Sequence, residues 1–241
     1  CQRGTDLDQP RNLAKSVTVE WLWSHLIDSM IDFRIYQNVI LDFDGVILDS
    51  NFVKEKAIRK VAKKFLNDVK SEEFVNFFIS NNGLPREIKI KKYIDDSNLY
   101  NEFLKSYNEI LSQKLNNAKL TTNAKKFFEM LHFYNLPIYI LSGGDEKEVI
   151  SSLKYNKLLS SFQKVMGGPK TKYENMNDLH LNGKTLYIGD SKIDYEVAKK
   201  YSFDFVYMYQ YTQFREWRKF FKHKNEVKII KNFKTLTYGN Y

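Results

Sequence analysis

The stretch "VILDFDGVILDS", residues 39–50, decides the fold of this chain. Its apolar start predicts a buried strand, yet that strand runs directly into two acids, Asp42 and Asp44, with Gly45 behind them. Side chains two residues apart on an extended chain point to the same side. The two carboxylates therefore share one face at the end of the strand, where the glycine lets the backbone turn sharply and approach a ligand.

The composition is typical of a globular chain with an ordinary hydrophobic core. Hydrophobic residues make up 43% of the 241 residues, enough for a medium α/β domain with a smaller inserted one. One cysteine excludes an intramolecular disulfide framework, and the four histidines show no zinc-ligand spacing. No apolar run approaches the roughly 20 residues of a membrane helix. The best candidate for a membrane helix is residues 21–33, for which we expect a packed or linking helix instead. For the whole chain we expect no membrane contact and a cytoplasmic location.

The formal charge of +9 invites a nucleic-acid-binding interpretation. The lysines, however, are spread along the whole chain and form no long basic run, arginine-rich arm or zinc-finger spacing. We therefore expect no nucleic-acid partner. A diffuse positive field of this kind can still draw small anionic substrates toward a cleft.

From about residue 36 onward, short apolar runs alternate with amphipathic stretches, which is typical of βαβ units. The runs are continuously apolar rather than alternating, and this predicts a parallel sheet covered on both faces. The sequence therefore predicts an α/β fold with a Rossmann-like parallel sheet core. The five predicted strands lie at 38–43, 136–144, 162–168, 184–190 and 203–210.

A long insertion of different character separates the first two predicted strands. Its apolar residues recur at a spacing of three to four, which predicts amphipathic helices. We therefore predict a small helical domain over 51–119, growing out of a core formed by 36–50 and 120–241. Because the first residue is Cys1, we interpret 1–35 as an N-terminal leader or the remnant of an upstream domain.

Polar side chains follow each of the first four predicted strands. In an open parallel sheet, ligands bind beyond the carboxyl ends of the strands, so we expect these side chains to meet in one crevice. They comprise acids, a hydroxyl and ammonium groups: Asp42, Asp44, Ser142, Lys170, Lys172, Asp190 and Asp194.

Several carboxylates at one sheet edge need a compensating cation. Two like charges about 4 Å apart repel by roughly 4 kcal/mol at an effective dielectric constant near 20, unless a cation binds or their pKa values rise. An all-oxygen site suits Mg²⁺, which keeps waters and bridges to phosphate. Lysine and serine side chains nearby suit phosphoryl oxygens. The residues themselves therefore favour a Mg²⁺ site for a small phosphorylated metabolite.

Each of these features also has a purely structural interpretation. An Asp-x-Asp-Gly segment is commonly a turn, and Ser142 could cap the helix that follows Gly144. Taken singly, each feature would be interpreted as structural. Their order, each behind its own apolar strand, favours an active site.

Four segments resemble, in order, the four motifs of the haloacid dehalogenase-like superfamily. They are "DFDGV", which starts at Asp42, followed by "ILSGG", "GGPKTK" and "GDSKID". The resemblance spans about residues 36–210. The helical insertion lies where that superfamily places its helical cap, as in phosphoglycolate phosphatases and β-phosphoglucomutases.

The resemblance implies a mechanism and a metal site. Asp42 attacks phosphorus and becomes an aspartyl phosphate, while Asp44 protonates the leaving oxygen and then deprotonates the water. Asp42, the backbone carbonyl of Asp44 and Asp190 hold Mg²⁺. Asp194 is a further ligand or supports one, and Ser142 with a lysine neutralises the transferring phosphoryl group.

The third motif leaves the catalytic lysine open. Lys172 precedes "YENM" much as the catalytic lysine of phosphoserine-phosphatase-like members precedes a short helix start. Lys170 follows a loop proline and has the superfamily's looser spacing. Either could serve, and we favour Lys172.

The segment "NNGLPREIKIKKYI" resembles the cap loop of β-phosphoglucomutase-type proteins. On that pattern Gly83 is a hinge and Arg86 binds the substrate's phosphate, while Gly143 contacts substrate from the core. The alternative for Arg86 is a solvated position at a helix start. Lys89 or Lys92 could neighbour Arg86 at the substrate, but for both lysines we favour a solvated helix face.

The sequence also departs from the mutase pattern. Mutases carry a histidine shortly after the first motif, and "ILDSNFVKEKAI" has none, which favours hydrolysis. Asn51 and Lys54 lie where the chain leaves the core; they could line the cleft, and the alternative that we favour for both is helix and hinge surface. Residues 3–17 resemble the closing tail of sugar-activating nucleotidyltransferases, which suggests past fusion or adjacency to such an enzyme; the alternative is a disordered leader.

The sequence therefore predicts a Mg²⁺-dependent phosphatase that hydrolyses a small, sugar-like phosphomonoester through an aspartyl phosphate. One alternative is a β-phosphoglucomutase-like phosphomutase. The other is a catalytically silent binding module of the same fold.

Overall fold

A six-stranded parallel sheet runs through the described part of the chain, residues 31–237 of a computed structural model. Its strands lie in the order β3-β2-β1-β4-β5-β6, which is the order of a doubly wound sheet. The predicted α/β class with a Rossmann-like parallel core is confirmed. The strands are β1 (Asn38–Leu41), β2 (Ile138–Asp145), β3 (Lys164–Gly168), β4 (Thr185–Gly189), β5 (Asp204–Met208) and β6 (Lys228–Ile230).

The central strands show why their sequence is apolar throughout. All four residues of β1 and all five of β4 are buried, so neither face is left to solvent. Leu41, the last residue of β1, pairs with Ile140 of β2 and with Ile188 of β4. Because the three strands run parallel and in register, their carboxyl ends emerge side by side.

Helices and aromatic side chains cover the sheet. The rings of Phe127 and Phe233 stack with their centroids 4.3 Å apart, and those of Tyr207 and Phe221 lie 4.5 Å apart. Aromatic pairs of this kind contribute about 0.5–1.5 kcal/mol beyond their buried area. The helices of the core are Ala124–Phe133, Glu146–Tyr155, Lys172–Asn177, Lys192–Lys200, Trp217–Phe221 and Lys234–Thr237, with 3₁₀ turns at Phe33–Ile35 and Leu159–Ser161.

Strand β6 was not among the five strands that the sequence predicts. It has three residues, pairs with β5 at the sheet edge and leaves Ile229 40% exposed. A run this short, with a lysine at its start, does not stand out as an apolar strand pattern. The sheet is therefore one strand wider than expected.

The insertion between β1 and β2 is helical, and we call its helices the cap helices. Their interior combines aliphatic side chains with a cluster of aromatic rings. The ring of Phe74 lies 5.3 Å from that of Phe103, and Phe78 lies 5.7 Å from Tyr107, each pair edge to face. The cap helices are Asn51–Phe65, Asp68–Ser80, Arg86–Lys91 and Ser97–Lys114, followed by the 3₁₀ turn Leu115–Asn117.

Two neighbouring chain segments join the cap helices to the core. The N–H of Asp49 donates to the carbonyl of Lys119 at 2.8 Å, and the N–H of Thr121 donates to the carbonyl of Ile47 at 3.0 Å. The segments also form one isolated antiparallel bridge. The chain therefore leaves the core and returns to it at the same place.

Three predictions concern residues outside the described range. The leader at 1–35, the helix expected at 21–33 and the nucleotidyltransferase resemblance at 3–17 lie wholly or largely there. Within the described range, no helix combines the length and apolar character needed to span a membrane.

Candidate active site

Neighbouring strands deliver polar side chains to one edge of the sheet. Asp42 and Asp44 follow β1, Ser142 lies near the end of β2, and Asp190 follows β4. Lys172 begins the helix after β3. Because these strands are adjacent, distant segments meet, and Lys172 contacts Asp42 directly although 130 residues separate them.

The ammonium group of Lys172 lies between two buried carboxylates. Its Nζ donates to Oδ1 of Asp42 at 2.7 Å and to Oδ1 of Asp194, and it lies 3.3 Å from the hydroxyl oxygen of Tyr187. The side chain is almost inaccessible, with Lys172 1% exposed. Burial opposes the charged form, but the two carboxylates outweigh it and hold the pKa of Lys172 above its ordinary value.

The structure places Lys170 away from this group. Its Nζ pairs with Asp178 at 2.6 Å on the exposed surface. Thr171 explains the difference, because it caps the following helix through a capping box with Glu174. Lys172 is then the first helical residue and reaches the sheet edge, whereas Lys170 precedes the cap and lies outside.

Asp194 is saturated with hydrogen bonds from the protein. One carboxylate oxygen accepts from Lys172 and, at 2.6 Å, from the hydroxyl of Tyr187. The other accepts from the N–H and the hydroxyl of Ser191 at 2.9 and 2.6 Å. Since a carboxylate has about four acceptor positions, Asp194 has none left. Of the two roles implied for Asp194, metal ligand or support, this geometry favours support of Lys172.

Asp42 and Asp190 line the cleft and keep one carboxylate oxygen each without a partner in residues 31–237. Their other oxygens accept from Lys172 and, at 2.8 Å, from Asn51. Burial raises the pKa of Asp42 to about 7 against the opposing charge of Lys172. Burial, with the neighbouring charge of Asp42, also raises the pKa of Asp190 well above its ordinary value.

The acidic residues fit a divalent cation. One oxygen from each of Asp42, Asp190 and Asp194 lies within 4.8 Å of the others. Crowded carboxylates with raised pKa values and oxygens without partners are stabilised by a cation, and an all-oxygen set suits Mg²⁺. Asp42 and Asp190 are the residues that would hold it. The carboxylate of Asp44 is not in this group, and the contribution of its backbone carbonyl stays a prediction.

The carboxylate of Asp44 faces the first cap helix. It accepts hydrogen bonds from Nζ of Lys54 and Oγ of Ser50. Burial raises the pKa of Asp44, but the charge of Lys54 and these hydrogen bonds together bring it below its ordinary value. The expectation that Lys54 lies on a solvated surface was wrong, because the cap helix starts so close to β1 that its first turn faces the strand end.

Asn51 also lies in the site rather than on the helix surface. Its Nδ2 donates to Oδ2 of Asp190 at 2.8 Å and to the carbonyl of Tyr211 at 2.9 Å, which fixes the orientation of Asp190. Gly45 permits this approach. It has φ +79°, and a β-carbon there would lie 2.3 Å from Oδ2 of Asp190.

Ser142 does not cap the helix after β2. That role belongs to Asp145, whose side chain accepts from the N–H of Glu148. Ser142 is buried, and its Oγ accepts from the N–H of Gly144 at 2.9 Å. A β-carbon on Gly144 would lie 3.3 Å from that oxygen and 3.2 Å from Oδ2 of Asp44. Both oxygens therefore border the small space beside Gly144.

Gly83 and Gly143, both predicted to contact substrate, line the cleft and meet backbone to backbone. A β-carbon on Gly143 would lie 2.4 Å from the carbonyl oxygen of Gly83. Real β-carbons do not approach so closely, so this contact requires glycine at 143. The loop that carries Gly83 lies directly over the end of β2.

Arg86 lies in the wall of the cleft but is bound by other side chains. Its guanidinium donates to both carboxylate oxygens of Glu148, one at 2.7 Å, and to Oδ1 of Asn108 at 2.7 Å. Arg86 is 4% exposed, so the solvated alternative does not describe it. Because Glu148 belongs to the core, the pair ties the cap helices to the core. Phosphate binding by Arg86 stays a prediction.

A cleft with about 540 Å³ of empty space, part of it open to solvent, lies between the cap helices and the sheet edge. Lys89 was expected on a solvated face, but it is 4% exposed and lines this cleft, whereas Lys92 is exposed as expected. The charged lining residues are Asp42, Asp44, Asp190, Lys54, Glu55, Arg86 and Lys89.

Comparison with known proteins identifies the family. A doubly wound parallel sheet with acids at the strand ends and a helical insertion after the first strand defines a Rossmann-like α/β protein with an inserted helical cap. Residues 39–208 match the family described as haloacid dehalogenase-like hydrolase. The chain therefore belongs to the haloacid dehalogenase-like hydrolases. A comparison with curated protein sequences gave no significant match.

Solved structures share the fold at low sequence identity. A predicted phosphatase from Clostridium acetobutylicum has a TM-score of 0.66 and 19% identity, covering 84% of this chain and 97% of that one. A haloacid dehalogenase-like family hydrolase from Streptococcus pneumoniae has a TM-score of 0.62 and 19% identity, covering 84% and 97%. A predicted phosphoglycolate phosphatase from Haemophilus somnus has a TM-score of 0.61 and 16% identity, covering 75% and 88%. At these identities the likeness shows the fold alone.

Replacing Lys172 should destabilise the protein far more than replacing Lys170. Lys172→Met leaves two buried carboxylates without their shared cation, which should lower the free energy of unfolding by about 3–5 kcal/mol at neutral pH. Lys170→Met removes an exposed pair that solvent screens, and should leave the free energy of unfolding nearly unchanged. Urea denaturation measures both. Equal losses would contradict the buried position of the Lys172 ammonium.

Replacing Gly45 should disturb the acidic group specifically. Gly45→Ala forces a β-carbon toward Asp190, and Gly183→Ala is a matched control because Gly183 has the same φ of +79° but contacts the side chain of Gln37. Both variants should lose about 1–3 kcal/mol of stability from backbone strain. Only Gly45→Ala should also reduce the rise in melting temperature that Mg²⁺ would cause if it binds at Asp42 and Asp190. An equal Mg²⁺ response in both variants would contradict this geometry.

Proposed function

We propose that this chain is a Mg²⁺-dependent phosphatase that hydrolyses a small, sugar-like phosphomonoester through an aspartyl phosphate on Asp42. The observation that carries the proposal is the hydrogen bond of 2.7 Å from Lys172 to one oxygen of Asp42. The other oxygen has no partner among the described residues. A carboxylate held in this way has a fixed orientation and keeps one oxygen available as a nucleophile.

In the first half of the reaction, that oxygen of Asp42 forms a bond to phosphorus as the bond from phosphorus to the ester oxygen breaks. Asp44, in its protonated form, gives its proton to the departing alkoxide. Entry of a phosphate group beside Lys54 would draw the ammonium group of Lys54 away from Asp44. Loss of that positive charge favours the protonated form of Asp44. Lys172 offsets negative charge at the reacting carboxylate.

In the second half, water attacks the phosphorus of the aspartyl phosphate. Asp44, now ionised, takes a proton from the water, and the bond between phosphorus and Asp42 breaks to release inorganic phosphate. When bound by Asp42 and Asp190, Mg²⁺ would offset the charge that keeps a carboxylate and a phosphate apart. The hydroxyl of Ser142 lies near Asp44 and would donate to a phosphoryl oxygen.

The lining of the cleft supports a small polyol as the organic part of the substrate. Asn82, Gln213 and Glu55 line the cleft beside the acids. Nε2 of Gln213 donates to Glu55 at 2.7 Å, and Nδ2 of Asn82 lies 3.4 Å from Oε1 of Gln213. Amide and carboxylate groups offer both donors and acceptors for sugar hydroxyls.

Asp42→Asn should lower phosphate release by at least about a thousandfold, because the amide cannot act as the nucleophile. The measurement is inorganic phosphate released from a panel of sugar phosphates with Mg²⁺ present. Asp178→Asn, which changes an exposed carboxylate of the same type, is the matched control and should retain activity. Circular dichroism should show that both variants keep the fold.

Other outcomes of the same panel would favour the alternatives. Isomerisation of a sugar phosphate without net phosphate release, stimulated by a sugar bisphosphate, would indicate a phosphomutase. No turnover of any ester by the wild-type protein would indicate a binding module. Activity of Asp42→Asn equal to that of the wild type would refute the assignment of the nucleophile.

Mg²⁺ should stabilise the folded protein even without substrate. At 100 times its dissociation constant, a ligand of the folded state adds about 2.7 kcal/mol to the free energy of unfolding. Asp190→Asn should abolish most of this gain, whereas Asp178→Asn should keep it. Thermal denaturation with MgCl₂ or with EDTA measures the effect, and equal responses of the two variants would contradict a metal site at Asp190.

A further inference from the structure

Three cationic side chains from the cap helices line the cleft, and they differ in how their charge is balanced. Lys54 is paired with Asp44, and Arg86 with Glu148. Lys89 forms no ion pair with any carboxylate of the described residues. The lining of the cleft therefore contains an ammonium group without a counter-charge.

The surroundings of Lys89 leave its hydrogen bonding incomplete. Its Nζ donates to the carbonyl oxygen of Phe78 at 3.3 Å and lies 3.7 Å from the centroid of the Phe78 ring. An ammonium group has three donors, and the carbonyl accounts for one. Burying a charged group with unsatisfied donors is unfavourable, so this arrangement would be completed by an anion that enters the cleft.

We infer that the substrate carries a second anionic group, a carboxylate or a second phosphate, and that Lys89 binds it. This inference rests on the proposed phosphatase activity. The ester phosphate would lie at Asp42, on the sheet side of the cleft, while Lys89 reaches the same cleft from the cap side. Small phosphorylated acids and bisphosphates have this pair of charges, and neutral sugar phosphates do not.

The charges around Lys89 agree with this assignment. Burial, together with the neighbouring charges of Lys54 and Arg86, lowers the pKa of Lys89 to about 7 against the opposing charges of Asp44 and Glu87. A bound anion acts in the opposite direction and raises that pKa. Binding of the second anionic group is therefore coupled to uptake of a proton.

Two pairs of esters test the inference. 3-Phosphoglycerate and glycerol 3-phosphate differ in having a carboxylate or a hydroxymethyl group, and fructose 1,6-bisphosphate and fructose 6-phosphate differ in a second phosphate. We expect the wild-type protein to prefer the more charged member of at least one pair in kcat/KM by about 10-fold or more. The pair that shows the preference identifies the anion as carboxylate or phosphate.

Substitution of Lys89 should remove that preference. Lys89→Met should reduce the ratio of kcat/KM within the preferred pair by about 10-fold or more. Lys92→Met removes a positive charge from the same segment at an exposed position and should keep the wild-type ratio. Lys89→Met should fold, because it replaces a buried cation by an apolar side chain, and Lys89→Gln provides a second variant.

Binding measurements distinguish a failure of this inference from a failure of the proposed function. Calorimetry with the Asp42→Asn protein should show tighter binding of the more charged ester, and Asp42→Asn combined with Lys89→Met should lose this difference. If the wild-type protein hydrolyses no ester, the proposed function fails, and calorimetry still decides the role of Lys89.

The pH dependence gives a third readout. As pH rises above about 7, Lys89 loses its proton, so the KM of the more charged ester should rise relative to that of its partner. In Lys89→Met this ratio should not change with pH. The inference is overturned if neither pair shows a preference, or if the preference persists in Lys89→Met.

Discussion

The ammonium group of Lys172, shared by Asp42 and Asp194 in a buried site, is the interaction on which the site depends. It joins the segments after β1, β3 and β4, and it occupies one oxygen of each carboxylate. Without a cation, acids this crowded would not remain ionised together in a buried site. The same contact leaves one oxygen of Asp42 without a partner among the described residues and holds Asp194 beside the same ammonium group. Stability and reactivity therefore depend on one side chain.

The core of the fold and its acidic centre could be predicted from the sequence because both follow from local rules. Continuously apolar strands imply a parallel sheet, and such a sheet brings the ends of its strands to one edge. That reasoning is sufficient to place Asp42 beside Lys172 across 130 intervening residues. The choice between Lys170 and Lys172 depended on a finer feature, the capping box that starts at Thr171.

The sequence did not settle the positions of Asn51, Lys54 and Lys89, because these positions depend on how the cap helices pack on the core. In the sequence, each of the three fits a helix surface as well as a position in the site. The packed structure shows that Lys54 and Lys89 line the cleft and that Asn51 contacts Asp190. The hydroxyl of Tyr187 donates to Asp194. The sequence did not single out Tyr187, because it lies within a continuously apolar strand.

The paired segments between core and cap have a consequence for how such a protein can diversify. The chain departs and returns at neighbouring points, tied by backbone hydrogen bonds between Asp49 and Lys119 and between Thr121 and Ile47, so the length of chain between them can change without separating these two points. The first turn of the insertion is an exception, because Asn51 and Lys54 contact the acids Asp190 and Asp44. Selectivity can therefore evolve through the more distant cap helices, whereas the first turn is constrained together with the strand ends.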